Sequence, residues 1–191
     1  MPFMKGLLFE TSEETGVAAL TMNGRLLSFK MLNGGSQLSK TLASEAGTLT
    51  QAFRPDYIGI GTGPGSYTGI RVGASLAKAL AFGWKIPLFG FCSLKAFSTD
   101  PFVPVLVDAR TGGFYVLKYL DAEPLLLSPA QAQMELQHCS ELASPHPCLI
   151  QKRLSLPVRW IETSPNLPLL SQLVFNQFLA MDLKPLHLYP K

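Results

Sequence analysis

The sequence predicts a two-lobed α/β protein. Three observations lead there. An apolar strand at 57–60 runs through a glycine-rich turn into a helix, an antiparallel meander of three strands precedes it, and a weaker copy of the opening pattern follows residue 100. The expected lobes are 1–100 and a reduced 101–191, with room for the last helix to pack back on the first. The 191 residues are 47% hydrophobic and 15% charged, enough to bury a core in one domain or two small ones. A formal charge of +3, from 16 basic and 13 acidic residues, permits nucleic-acid contact without arguing for it, because Lys152-Arg153 is the only basic doublet.

Gly6-Leu7-Leu8-Phe9 reads as a strand ending at Glu10 and the polar turn Thr11–Gly16. Val17–Met22 returns, Asn23-Gly24 is a strong hairpin signal, and Arg25–Met31 is the third strand. Ser36 or Ser39 then caps a helix whose Leu38, Leu42, Ala46, Leu49 and Phe53 form one amphipathic stripe, stopped by Arg54-Pro55-Asp56. After the central strand Tyr57–Ile60, the turn Gly61–Gly65 opens a helix dense in Ala and Leu. On it Gly69, Gly73, Ala77 and Ala81 recur every fourth residue and line one face with almost no side chain, a surface another helix can approach closely. Pro87–Phe91 is another strand, and Ser93 caps a short helix through Phe97.

The pattern restarts at Thr99-Asp100-Pro101. Val103–Val107 ends in Asp108 and a glycine-containing turn, and Phe114–Leu120 returns. Ser128-Pro129 opens a helix through about Gln137. Cys148–Ile150 and Val158–Ile161 are short strand candidates. Pro168 opens a last helix with Leu169, Leu170, Leu173, Val174, Phe178 and Met181 on a wide apolar face, and Lys184-Pro185 ends it.

The glycine turn matches neither common phosphate motif. A Walker loop needs a lysine after its last glycine, and the dinucleotide fingerprint needs a third glycine where Ser66 stands. Glu10 and Asp108, at the ends of equivalent strands, are the most suggestive carboxylates; facing one cleft, they would hold a metal–nucleotide complex. Against that, Glu13 and Glu14 crowd the same turn, and no glycine directly follows Glu10. His138, Cys139, His146 and Cys148 have zinc-ligand chemistry at spacings that fit no structural zinc pattern, and His187 has no partner in sequence. Ser66 has no evident histidine base, and no H-E-x-x-H or G-x-S-x-G motif occurs. Three scattered cysteines fit a reducing compartment, and Met1–Glu10 has no signal-peptide pattern, so a cytoplasmic protein is expected, without a membrane span.

Gly63-Pro64-Gly65-Ser66-Tyr67-Thr68-Gly69-Ile70-Arg71-Val72-Gly73 resembles the signature of the bacterial TsaB (YeaZ) family. Glu10-Thr11-Ser12, Ile86-Pro87-Leu88, Ser93-Leu94 and Asp108-Ala109-Arg110 with Gly112 and Tyr115 support the likeness, which is strong from Gly6 to about Tyr119; beyond it stands only Pro185–Tyr189. Glu10 replaces the family's usual Asp, Gly113 its usual Glu, and Gly35-Ser36 its His-Ser pair.

The resemblance implies the duplicated α/β fold of actin, sugar kinases and Hsp70 (the ribonuclease H-like, ASKHA fold), with the second lobe reduced. It implies a non-catalytic pseudo-enzyme that binds no cofactor itself. Such a chain pairs with TsaD, which transfers a threonylcarbamoyl group to adenosine 37 of ANN-decoding tRNAs, or with a second copy of itself. The ATPase TsaE joins, and the wider complex uses ATP and a divalent metal and carries the tRNA. The expected partner face lies on helices 36–53 and 68–82, through Leu38, Leu42, Ala46, Gly69, Gly73, Ala77 and Ala81. The competing possibility is an ATP-dependent phosphotransferase or peptidase-like enzyme of the same superfamily using Glu10 and Asp108.

Overall fold

Nearly continuous burial of the first two strands and exposure of the third builds one edge of a sheet. In the computed structural model, which describes residues 3–33, 35–52, 54–110 and 112–180, β1 (Lys5–Glu10), β2 (Thr15–Met22) and β3 (Arg25–Asn33) form the expected meander. Asn23 and Gly24 turn at φ +48° and +74°, the left-handed pair that a tight hairpin requires. Gly24→Val, which forces a branched side chain into that region and against Phe175, is expected to cost about 1–3 kcal/mol in urea unfolding.

α1 (Leu38–Thr50) buries Leu38, Leu42, Ala46 and Leu49. Phe53 lies outside the described residues. Ser39 sits inside the first turn and Gln37 holds the cap position without a side-chain bond, so Ser39 is not the cap. β4 (Tyr57–Gly61) is buried along its whole length, as a strand covered on both faces must be. It runs parallel to β1 and to β5 (Leu88–Phe91), and α2 (Tyr67–Trp84) connects β4 to β5. The sheet order is β3-β2-β1-β4-β5. Leu7, Phe9, Ile58 and Ile60 meet Leu42 and Ala46 of α1 and Ala77 and Ala81 of α2 in one core.

A second compact unit begins at Cys92 and includes Gly63–Gly65. Its 3-10 turn Ser93–Phe97 packs with β6 (Val105–Asp108) and β7 (Phe114–Leu117). Then follow β8 (Leu125–Leu127), α3 (Pro129–Leu136), β9 (Glu141–Ser144), α4 (Pro147–Gln151) and β10 (Arg159–Glu162). Ser128 and Gln131 form a reciprocal capping box at α3. Cys148–Ile150 is helical rather than a strand, because Pro147 at the first helical position presets the backbone. The sheet order is β10-β9-β6-β7-β8. In each sheet the first strand pairs antiparallel with the second on one side and parallel with the fourth on the other. The duplication visible in two turns is therefore a duplication of topology.

α5 (Leu167–Ala180) belongs to the first unit and covers the free face of its sheet. Phe178 stacks on Tyr57 at 4.4 Å between ring centroids, and Val174 fills the place a side chain at Gly59 would take. Met181, Lys184-Pro185 and the 185–189 match lie outside the described residues, as does His187.

Candidate functional site

The signature stretch is held by reciprocal bonds. Gly63 N–H donates to Ser93 Oγ at 2.9 Å and Ser93 N–H to the Gly63 carbonyl at 2.8 Å. Ser93 is thus the clamp of the glycine turn, not a helix cap, and the position before the 3-10 turn, Cys92, has no side-chain cap bond. Ser66 does cap α2: its Oγ accepts from Gly69 N–H at 3.3 Å, while its own N–H donates to the Ser12 carbonyl at 2.6 Å. Thr11 Oγ1 donates to the Gly69 carbonyl at 2.8 Å. The β1–β2 turn therefore sits directly against the first turns of α2.

That contact explains the small residues of α2 and corrects their expected role. A Cβ on Gly69 would run into the Thr11 carbonyl oxygen, and one on Gly73 into Thr11 Oγ1 and, at 3.0 Å, Ile60 Cδ1. Gly69, Gly73, Ala77 and Ala81 are the buried face of α2. Leu38, Leu42 and Ala46 are likewise buried inside their own unit. The period of four marks a helix lying close on its own sheet. Residues already without accessible surface have none to give to a partner, so these seven are not a docking face.

The exposed side of both helices is the opposite one. On α2 it carries Thr68, Arg71, Ser75, Lys78, Ala79 and Phe82; on α1, Lys40, Ala43, Ser44 and Gly47, all exposed. Phe82 is 81% exposed. Between the helices lies an open groove of about 480 Å³, lined by Ser39, Tyr67, Arg71, Val72, Ser75 and Leu76. At its edge Arg71 Nη1 donates to Tyr67 Oη at 2.9 Å, and the guanidinium lies 5.1 Å from the ring centre. The signal for this face was in the sequence: Ala79 and Phe82 stand across the helix from the small stripe, apolar where a solvated face would be polar.

The two candidate carboxylates belong to different units. Glu10 is 1% exposed, and its Oε1 accepts from Ser12 N–H at 2.7 Å, closing on its own turn. Asp108 Oδ1 accepts from Arg110 N–H at 2.8 Å, and Oδ2 takes the Arg153 guanidinium at 2.6 Å. Arg153 also lies over the Phe114 ring at 5.0 Å. Partial burial pushes the Asp108 carboxyl up, but the Arg153 bond, the Arg110 N–H and both guanidinium charges outweigh it and hold it below its ordinary value. Neither residue fits a metal–nucleotide group. Glu10 is turned inward, and a side-chain cation already stands on Asp108. Among the described residues no three His, Cys, Asp or Glu side chains come together as metal ligands, so His138, Cys139, His146 and Cys148 do not converge. Burial raises the Cys139 thiol above its ordinary value, against a smaller opposing effect of Lys118.

The Asp108–Arg153 pair has a pH signature. Because the folded-state value is depressed, its stabilisation is complete above the ordinary 3.8 and fades as pH falls through the lower folded value. Asp108→Asn is expected to cost up to about 1 kcal/mol at neutral pH, as partly exposed pairs do, and nothing in strong acid. Urea unfolding of both proteins across the acid range checks this.

Two five-stranded sheets of matching topology, each opened by a strand–acid–turn–strand hairpin, define a two-lobed α/β protein of the actin, sugar kinase and Hsp70 fold. Residues 37–153 match the family model described as TsaD, tRNA N6-adenosine threonylcarbamoyltransferase. The chain belongs to this family, and several of the curated relatives it matches are named TsaB. It is 39% identical over 67 residues to the tRNA threonylcarbamoyladenosine biosynthesis protein TsaB of Haemophilus influenzae, covering 31% of this chain and 28% of that one. The TsaB of Bacillus subtilis is 39% identical over 65 residues, again 31% and 28%. The aligned stretch thus spans little more than a quarter of those relatives. YeaZ from Pseudomonas aeruginosa superposes with a TM-score of 0.72 at 21% identity, covering 92% of this chain and 93% of that one. No helix among the described residues is long and apolar enough to cross a membrane.

Proposed function

We propose that this chain is the non-catalytic scaffold and activator in the addition of a threonylcarbamoyl group to adenosine 37 of ANN-decoding tRNAs. It acts in the cytoplasm by dimerising with a TsaD-like catalytic subunit, and a TsaE-like ATPase joins the pair. ATP, the divalent metal and the tRNA are handled by the wider complex. One observation carries this reading: the α1–α2 surface has an open groove lined in part by the half-buried Val72 and Leu76, with Ala79 and Phe82 exposed on the outer side of α2, opposite its buried small face. The family match supports a TsaD-like partner as the reading for that surface. The engagement of Glu10 and Asp108 by their own turns and by Arg153 supports chemistry located in the partner.

The test is reconstitution of tRNA modification from purified subunits with and without this chain. Stimulation is expected with it and a basal rate without it. Ala79→Trp adds bulk where α2 faces outward, so it is expected to abolish stimulation and co-purification. The isolated variant should unfold within about 0.5 kcal/mol of the parent, as exposed substitutions do. Full stimulation by Ala79→Trp would rule this surface out.

A further inference from the structure

We infer that an apolar row along the outer strand β3 is the docking site of this chain's own residues beyond α5, through Leu183, Leu186 and Leu188. Among the described residues β3 pairs with β2 alone and stands at the end of its sheet. Its Leu27, Phe29 and Met31 are 46%, 47% and 49% exposed. Single exposed apolar side chains are ordinary. Three at every second position of an edge strand make a continuous strip, which natural sheets blunt or cover. Lys30 reaches α1 through its ion pair with Glu45, so Phe29 and Met31 on either side of it point to the opposite face. That is the face α5 packs on. Phe29 lies across from Ala19 and Met31 from Val17, both buried, and Leu27 carries the row toward the hairpin.

The end of α5 emerges beside this row. A Cβ on Gly24, in the β2–β3 turn, would touch Gln172 and Phe175, and Leu179, one turn after Phe175 on the same flank, is exposed. Phe178 stacks on Tyr57, whose strand partner Gly6 lies at the same end of the sheet. Ala180 therefore delivers the chain at the hairpin end of β3, within the same compact unit. The sequence continues Met181-Asp182-Leu183-Lys184-Pro185-Leu186-His187-Leu188-Tyr189-Pro190. Pro185 opposes helix and biases Lys184 toward extended backbone. In an extended segment Leu186 and Leu188 share a face about 7 Å apart, the same step that separates Phe29 from Met31. Five residues after Ala180 span up to about 17 Å, enough to bring Leu186 to the row. A segment tethered this closely meets its site at an effective concentration of about millimolar, which favours it over a separate molecule.

Methyl NMR on the full purified chain tests this. The Leu186 and Leu188 methyl groups are expected to give NOEs to the Phe29 ring and the Met31 methyl group. Leu186→Ser with Leu188→Ser should abolish them, shift the β3 resonances and raise the fluorescence of an added apolar dye about twofold or more, leaving the rest of the spectrum in place. Phe29→Ser should release the same two leucines. A folded parent chain without these NOEs, its Leu186 and Leu188 amides exchanging at unprotected rates, overturns the inference. So does an unchanged β3 spectrum in the double serine variant. NOEs found only between differently labelled copies also overturn it, and assign the row to a second chain. None of these outcomes touches the role proposed for α1 and α2.

Discussion

Gly73→Leu is expected to lower the stability of the first unit by about 3 kcal/mol, the upper end of what overpacking costs. A helix normally gains from losing a glycine, by about 1 kcal/mol against alanine. At Gly73 the sign reverses, because the added atoms meet Thr11 Oγ1 and Ile60 Cδ1, neither of which has an open side to retreat into. Gly69→Ala should be as severe for a single methyl group, since its neighbour is the Thr11 carbonyl oxygen, and backbone yields less than a side chain. Gly83→Ala is the control. It lies in the same helix with nothing within 4 Å of the new methyl, and should stabilise by about 0.5–1 kcal/mol. Urea midpoints for the three variants test this together. A Gly73→Leu protein with parental stability that only fails to bind its partner would restore the small face as a docking surface and refute its inward placement.

Phe178→Ala is expected to cost about 3–5 kcal/mol, the range for emptying a buried aromatic site. Phe178 is the inner residue of α5 that closes a three-ring stack, 4.4 Å from Tyr57 and 6.3 Å from Phe89. Its loss removes cover from β4 and β5 and opens a path for water to Tyr57. The reporter is the Tyr57 phenol, whose ionisation is pushed above its ordinary 10.0, chiefly by burial. A raised tyrosine value means the folded state holds the proton more tightly, so parental stability declines as pH rises past 10.0. In Phe178→Ala that alkaline decline should shrink, and one more tyrosine should titrate with the exposed ones by ultraviolet absorbance. An unchanged tyrosine titration with unchanged stability would show that α5 is not held by this stack.

Much of the fold was legible because its signals are local. Asn23-Gly24 demands a left-handed turn wherever it occurs, Ser128-Pro129 with Gln131 caps a helix from its own side chains, and Leu38, Leu42, Ala46 and Leu49 share a face by helical arithmetic. The β8 and β9 strands escaped notice. They span three and four residues, too short for alternation to register, and exist through pairing with strands distant in sequence. Cys148–Ile150 misled in the same way, since a short apolar run has no period of its own and Pro147 decided its form.

The candidate site divides along the same line. Sequence alone determined the family signature, the duplicated hairpins, the small stripe of α2 and the two acids at strand ends, because each is a pattern of residue types at fixed spacing. Only tertiary structure decided which way the stripe faces, and that Ser93 clamps Gly63 while Arg153 stands on Asp108. These are encounters between residues separated by tens of positions. A spacing pattern marks a face without naming its neighbour, and the neighbour determines whether a bare helix surface serves the core or a partner.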